Sequence, residues 1–363
     1  MKVFVTDIGT DYTMLLFFAL LLWRAQKVKS GRDTLVSVED GQSLRGMAAI
    51  MVLLHHMAPM TRNGVLLHRF FSIGPGGLAV ALFFFLSGYG LQKQYMKNGE
   101  TYRQGFLKRR IPSILIPWAV IAVLYQLTYC LIGKVYTFAN LIDDLRNGIP
   151  FVAHSWYLIA ILFFYLLFWI HITLFRNHGQ KHIRWMPFIG CGWYVLYALI
   201  CIRLKYLMFW YDTAHLLPVG MFFAVYEDTI LQVLKNRRLY VSATALSALF
   251  WIICSNIFSF GLSVNVYSLY LTSLVRLFFF VMMTILLRQK LQIDNPLLRY
   301  LGKISLEIYL IHGLVFYLLR GDFFYLKNET LFCFLGLTGV ILIASILSPV
   351  DRFLLRIWKR AVK

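Results

Sequence analysis

The sequence predicts an all-α polytopic membrane protein of about ten transmembrane helices, with both termini on the cytoplasmic side. Three observations carry this prediction. The chain of 363 residues is 60% hydrophobic and only 14% charged, where a soluble domain carries about 25% charged residues. Its apolar residues fall into ten runs of helical length. Its lysines and arginines gather in alternate connections between those runs.

The N-terminal segment, 1–37, holds one apolar stretch, Met14 to Trp23, preceded by Asp11 and followed by Arg24 and Lys27, a charge order that does not suit a cleaved signal. At about ten residues the stretch falls short of a span. It is expected to lie flat as an interfacial helix, with an extra tilted crossing as the alternative. The membrane domain, 38–350, carries runs at 44–60, 77–92, 111–132, 155–175, 185–203, 206–226, 239–260, 264–287, 304–320 and 330–348. The runs 185–203 and 206–226 are parted only around Arg203 and Lys205, and Pro218 is expected to kink the second. Residues 351–363 read as a basic cytoplasmic tail.

Orientation follows from counting cations. With the segment before the first span inside, the cytoplasmic side collects 26 of the 36 lysines and arginines and the outer connections 8. That bias puts both termini inside, in agreement with the even number of spans. The net charge of +20 is parcelled out between hydrophobic runs rather than pooled in one patch. The partner it implies is therefore the lipid bilayer, and no nucleic acid is expected. The five cysteines lie in or beside apolar runs without a Cys-x-x-Cys pair, so they read as small buried hydrophobes, and no metal site is expected.

Function is sought among the polar groups at membrane depth, which are expensive there. Arg45 and His56 lie eleven residues apart on the first span, about three turns, so both share one face roughly 16 Å apart along the axis. A neutral imidazole at that position is suited to take a proton from an alcohol. Ser87 falls in the inner half of span two. Lys108, Arg109 and Arg110 precede span three and either anchor it at the headgroups or hold a multiply charged, nucleotide-like ligand. Arg276 sits near the middle of span eight and needs a partner or a wet cavity, and Glu307 on span nine is its candidate ion-pair partner. His312, five residues beyond Glu307, points about 140° away from it. His154-Ser155-Trp156-Tyr157 reads as an interfacial aromatic belt, and Asp212 and His215 are second-rank candidates for handling an external acceptor.

These segments together resemble the membrane-bound acyltransferase-3 family, whose members O-acylate bacterial glycans and related molecules. The family's Arg-x10-His signature matches Arg45 through His56, within Leu44-Arg45-Gly46-Met47-Ala48-Ala49. Phe84-Phe85-Leu86-Ser87-Gly88 and the late segment from Leu301-Gly302-Lys303-Ile304-Ser305 through Tyr309-Leu310-Ile311-His312 match in the family's order. The resemblance runs from about residue 38 to 348. One departure concerns the Arg-x-x-Arg pattern of many members before span three, since Ser113 follows Arg110 here.

The resemblance implies a multi-pass inner-membrane acyltransferase with no permanently bound cofactor. Cytosolic acyl-CoA, acetyl-CoA first of all, is the donor substrate, and a hydroxyl of a cell-envelope or exported glycan is the acceptor. In that reading Lys108, Arg109, Arg110 and Arg45 bind the CoA phosphates and Ser87 shapes the thioester channel. His56 is the general base or a transient acyl carrier, and Arg276 stabilises the thioester oxyanion. Glu307 and His312 orient these groups or relay protons. The chain ends at Lys363 without the esterase-like domain fused to some relatives, so a hand-over would involve a separate extracytoplasmic partner enzyme. The competing class is a proton-coupled secondary transporter, which also uses intramembrane His, Arg and Glu but favours an inverted repeat that the two halves do not show.

Overall fold

A computed structural model describes residues 8–28, 32–134, 136–176, 179–263 and 265–361, so parts of both terminal segments lie outside the described residues. Helix is nearly the sole regular structure, as an apolar solvent demands when every backbone polar group must be satisfied within its own segment. In chain order the helices are α1 Tyr12–Leu22, α2 Val38–Met57, α3 Val65–Ser72, α4 Pro75–Gln104, α5 Phe106–Arg110, α6 Pro112–Leu131, α7 Phe138–Arg146 and α8 Trp156–Leu174. They continue with α9 Gly179–Arg203, α10 Leu216–Val225, α11 Glu227–Leu234, α12 Arg237–Ser259, α13 Val266–Arg288, α14 Pro296–Lys303, α15 Ser305–Arg320 and α16 Glu329–Ala361. Two short strands, β1 Gln26–Lys27 and β2 Leu291–Gln292, pair antiparallel at the inner end.

Each of the ten apolar runs contains helix, but not all are simple spans. Among the described residues seven helices are long and apolar enough to cross a membrane, and two bent pairs, α10–α11 at 79° and α14–α15 at 74°, bring that number to nine if each is one span. The tenth is α2. Its polar residues dilute its hydropathy, yet its 20 residues give about 30 Å, the thickness of the hydrocarbon. Ser37 and Asp40 close a capping box at its start, which carries the helix six residues further inward than the apolar run alone. Asp40 also pairs with Arg32 and with the buried Arg288, fastening α2 to the inner end of α13.

Span six departs from expectation. Residues 206–215 form a short 3-10 turn and loop, and α10 begins only at Leu216. Pro218 therefore sits in the first turn, where its missing N–H removes no helical hydrogen bond, and it kinks nothing. Glycines set the packing here. A Cβ on Gly88 would lie 2.0 Å from the Leu217 carbonyl oxygen and one on Gly220 2.1 Å from that of Phe85, so α4 and α10 approach backbone to backbone. Around α4 the protein encloses 83% of the most apolar window, against 17–44% for the other long spans, which makes α2 and α4 the centre of the bundle.

The N-terminal helix also differs from a flat interfacial one. The Asp11 carboxylate accepts the N–H groups of Val65, Leu66 and Leu67 at 2.9–3.1 Å, capping α3 at the outer end. At the other end of α1, Asn295 donates to the carbonyls of Leu20 and Trp23 at the inner end. Helix α1 thus links α3 at the outer end to α14 at the inner end, and at eleven residues it stays shorter than the helices long enough to span. Arg24, Lys27 and Arg32 follow α1 on the inner side, so the cation bias is respected. At the C-terminus the basic tail prolongs α16 as helix to Ala361 instead of forming a separate segment.

Candidate active site

Three cavities run in series through the bundle. An inner vestibule of about 830 Å³ is lined by Arg45, Tyr89, Lys93, Gln94, Lys97 and Arg110, among others. A neck of about 330 Å³ follows, walled by Phe83, Ser87, Ser113, Tyr157, Tyr165, Ser305 and Tyr309. Arg45 and Arg110 belong to both, so the two spaces meet at this cationic pair. The outer cavity, about 780 Å³, is lined by His55, His56, His154, Trp156, Asp212 and Arg276 with several aromatic rings. Tyr309 lines both the neck and the outer cavity and marks the passage between them.

At that passage three histidines converge. The His56 ring stacks on His154 with centroids 3.8 Å apart and lies 5.0 Å from His312, while His154 and His312 are 5.2 Å apart. One ring nitrogen from each lies within 4.8 Å of the others. His56 comes from the outer end of α2 and His312 from the middle of α15, where it is fully buried. His154 comes from the turn before α8 and adopts the left-handed conformation, φ 64°. Tyr309 holds two members. Its hydroxyl donates to the His154 carbonyl, and its own carbonyl takes the His312 Nδ1–H at 2.7 Å. That bond leaves the His312 Nε2 lone pair free, buried and without a hydrogen-bond partner. His55 faces another way, stacked on Phe71 and packed against Gly76.

Arg276 lies across the outer cavity from this cluster. Its guanidinium donates to the Ile73 carbonyl and sits 3.9 Å from the centre of the Phe258 ring, with Nε unpartnered. Its acidic neighbour is Asp212, whose carboxylate accepts from Ser273 at 2.7 Å and keeps its other oxygen unpartnered. The expected Arg276–Glu307 pair does not form. Glu307 occupies the inner turn of α15, beside Ser348, Arg352 and Asp351 of α16, away from all three cavities. Both Glu307 and His312 lie on α15 beyond the bend at Ile304, about 140° apart around the helix and about 7.5 Å along it, so the first meets α16 and the second reaches the cluster.

The remaining candidates divide. Ser87 lines the neck, 3.3 Å from the Tyr157 hydroxyl. Of the basic triplet only Arg110 reaches the cavities, donating to the Tyr102 hydroxyl at 2.9 Å and lying over the Tyr165 ring. Arg109 turns back to the Tyr102 carbonyl, and neither it nor Lys108 lines the inner vestibule or the neck. The Arg-x-x-Arg departure thus resolves onto Arg110, with Ser113 beside it in the neck wall. His215 is half-buried, bonded through Nδ1 to the Asp212 carbonyl, and does not line the outer cavity.

His154 and Tyr309 are what sequence reasoning missed. His154 was read with its aromatic neighbours as a membrane-interface belt, and Tyr309 appeared only as a letter within a segment. Nothing local marked the left-handed turn that swings His154 inward.

An arrangement with a cationic inner pocket, a narrow neck and an imidazole cluster facing an outer cavity can bring a charged donor and a neutral acceptor together at one base. No curated protein and no solved structure shows significant similarity to the chain. A family model described as an acyltransferase domain matches residues 42–348, and it takes in α2, the neck, the three histidines and Arg276. The chain belongs to the acyltransferase-3 family and is a membrane acyltransferase.

Proposed function

We propose that this enzyme moves an acyl group, acetyl first of all, from cytosolic acyl-CoA to a hydroxyl of a cell-envelope or exported glycan at the outer side of a plasma membrane. The observation that carries the reading is the run of three cavities, joined by Arg45 and Arg110 at one junction and by Tyr309 at the next. The CoA phosphates bind in the inner vestibule, where Arg110, Arg45, Lys93 and Lys97 supply positive charge. The pantetheine arm enters the neck past Ser87 and Tyr157 and presents the thioester at Tyr309. The acceptor occupies the outer cavity, whose aromatic walls suit the apolar faces of a sugar, with Asp212 placed to receive hydroxyl protons.

His56 takes the proton of the acceptor hydroxyl as its oxygen attacks the thioester carbonyl. The C–S bond then breaks, and the imidazolium returns the proton to the departing CoA thiolate. The products are the ester and CoA. Arg276 provides the fixed positive charge of the outer cavity and opposes the charge that builds on the carbonyl oxygen. His154 and His312 flank His56 and set its orientation. Glu307 has no part in this reading.

The test is label transfer from acetyl-CoA labelled on the acetyl group, in membranes carrying the wild type or His56→Ala. Release of CoA and labelled product with the wild type alone is the expected result, the variant losing at least about 100-fold. An active His56→Ala variant refutes the role of His56. Correctly inserted wild type that neither binds acyl-CoA nor turns it over refutes the donor and favours a transporter.

A further inference from the structure

Acyl transfer needs one base, yet three imidazoles converge where His56 works. Their nitrogens lie within 4.8 Å of one another, and no carboxylate or thiolate belongs to the group. Four-coordinate zinc with Zn–N of about 2.0–2.1 Å sets ligand nitrogens about 3.4 Å apart, so the widest pair has roughly 1.4 Å to close. Rotation of the His56 and His154 rings, which now stack, supplies that movement.

Two further features resemble a built metal centre. A metal-bound histidine nearly always donates its other nitrogen to a carbonyl or carboxylate, which fixes the tautomer. His312 does this through Nδ1 to the Tyr309 carbonyl at 2.7 Å, leaving Nε2 buried and without a hydrogen-bond partner. The same tyrosine bonds the His154 carbonyl, so one residue steadies two of the three ligands. His56 and His154 also line the outer cavity, which gives an ion a route to the cluster.

We propose that His56, His154 and His312 form a binding site for a divalent cation of the zinc class, open to the outer cavity, and that binding suppresses acyl transfer by engaging the His56 lone pair. Three neutral imidazoles select zinc, cobalt, nickel or copper over magnesium and calcium, which require oxygen ligands. The binding half of the proposal stands on geometry alone. The suppression half rests on the reading of His56 as the base.

The experiment uses the untagged full-length protein in detergent, freed of metal, with zinc titrated against a chromophoric chelator. One zinc per chain is expected, weakened at least about tenfold in His154→Ala and in His312→Ala. His55→Ala, altering the neighbouring imidazole that faces Phe71, keeps the wild-type affinity. Cobalt(II) added to the wild type needs no variant and reports the ligands directly through visible bands of a four-coordinate nitrogen site. Absence of stoichiometric zinc, or affinity unchanged in both triad variants, overturns the site. Zinc that binds and stops transfer, with activity restored by chelator, supports both halves. Zinc that binds while turnover continues leaves the site standing and overturns both the suppression and the role of His56 as base.

Discussion

Tyr309→Phe isolates what one hydroxyl does for the histidine cluster. The hydroxyl donates to the carbonyl of His154, a non-glycine residue held at φ 64°, where an L-residue meets a penalty of about 1–2 kcal/mol. The bond itself contributes about 1 kcal/mol, so its loss lets the turn relax by about fivefold in population, more where the strain is released with it. The His154 ring then leaves its place 3.8 Å from His56. The expected result is a five- to tenfold fall in kcat, roughly the range those energies convert to. The KM for acyl-CoA changes little, because the CoA phosphates bind in the inner vestibule, which Tyr309 does not line, and phenylalanine keeps the ring that walls the neck. Steady-state release of CoA measures both constants. The decisive comparison is a double-mutant cycle with His154→Ala: with no ring left to misplace, Tyr309→Phe should then cost less than about twofold. Full activity in the single variant, or additive losses in the double one, would refute the claim that Tyr309 acts through His154, and additivity would mean that its hydroxyl meets the substrate itself.

Two further outcomes follow from the inner side. Arg110→Ala should raise the KM for acyl-CoA about tenfold with kcat largely kept, whereas Arg109→Ala should change it less than about twofold, since only Arg110 faces the vestibule and the neck. Asp40→Ala strands the buried Arg288 guanidinium and should cost about 3–5 kcal/mol, read as a lowered thermal midpoint in detergent; a midpoint within a degree or two of wild type would mean that Arg288 finds water instead.

The fold was legible because its signals are additive. Apolar runs, and the cations that flank them, are sums over many residues, and each of the ten runs does contain helix. What escaped were features set by single positions. The start of α2 at Val38 depends on a two-residue capping box rather than on hydrophobicity. The shortening of span six to ten residues reflects a loop at 206–215 whose apolar letters look like helix, although only Trp210 and Asp212 to Ala214 pack inside the protein while Leu207 and Phe209 stay exposed. Helix α1 was judged by length alone, and eleven residues are too few to span. Its two ends are nonetheless fastened at opposite ends of the bundle, Asp11 to α3 and the Leu20 and Trp23 carbonyls to Asn295.

The site divides along the same line. Arg45 and His56 were readable because both lie on one continuous helix, where spacing fixes direction. The reach of a side chain on a different element was not readable, and each miss there has a local cause. Glu307 and His312 diverge by about 140° as their five-residue spacing requires, but that Glu307 meets α16 and not Arg276 depends on how the bend at Ile304 sets α15 in the bundle. Lys108, Arg109 and Arg110 form a single run in sequence, yet α5 is five residues long, so its turn sends Arg109 back to Tyr102 and Arg110 into the neck. His154 enters the cluster only because a left-handed residue reverses the chain just ahead of α8. A base on a central helix, with its companions delivered by a bend and a turn, is therefore half visible in sequence: the group that a regular helix aims can be found by counting, and the groups that irregular backbone aims cannot.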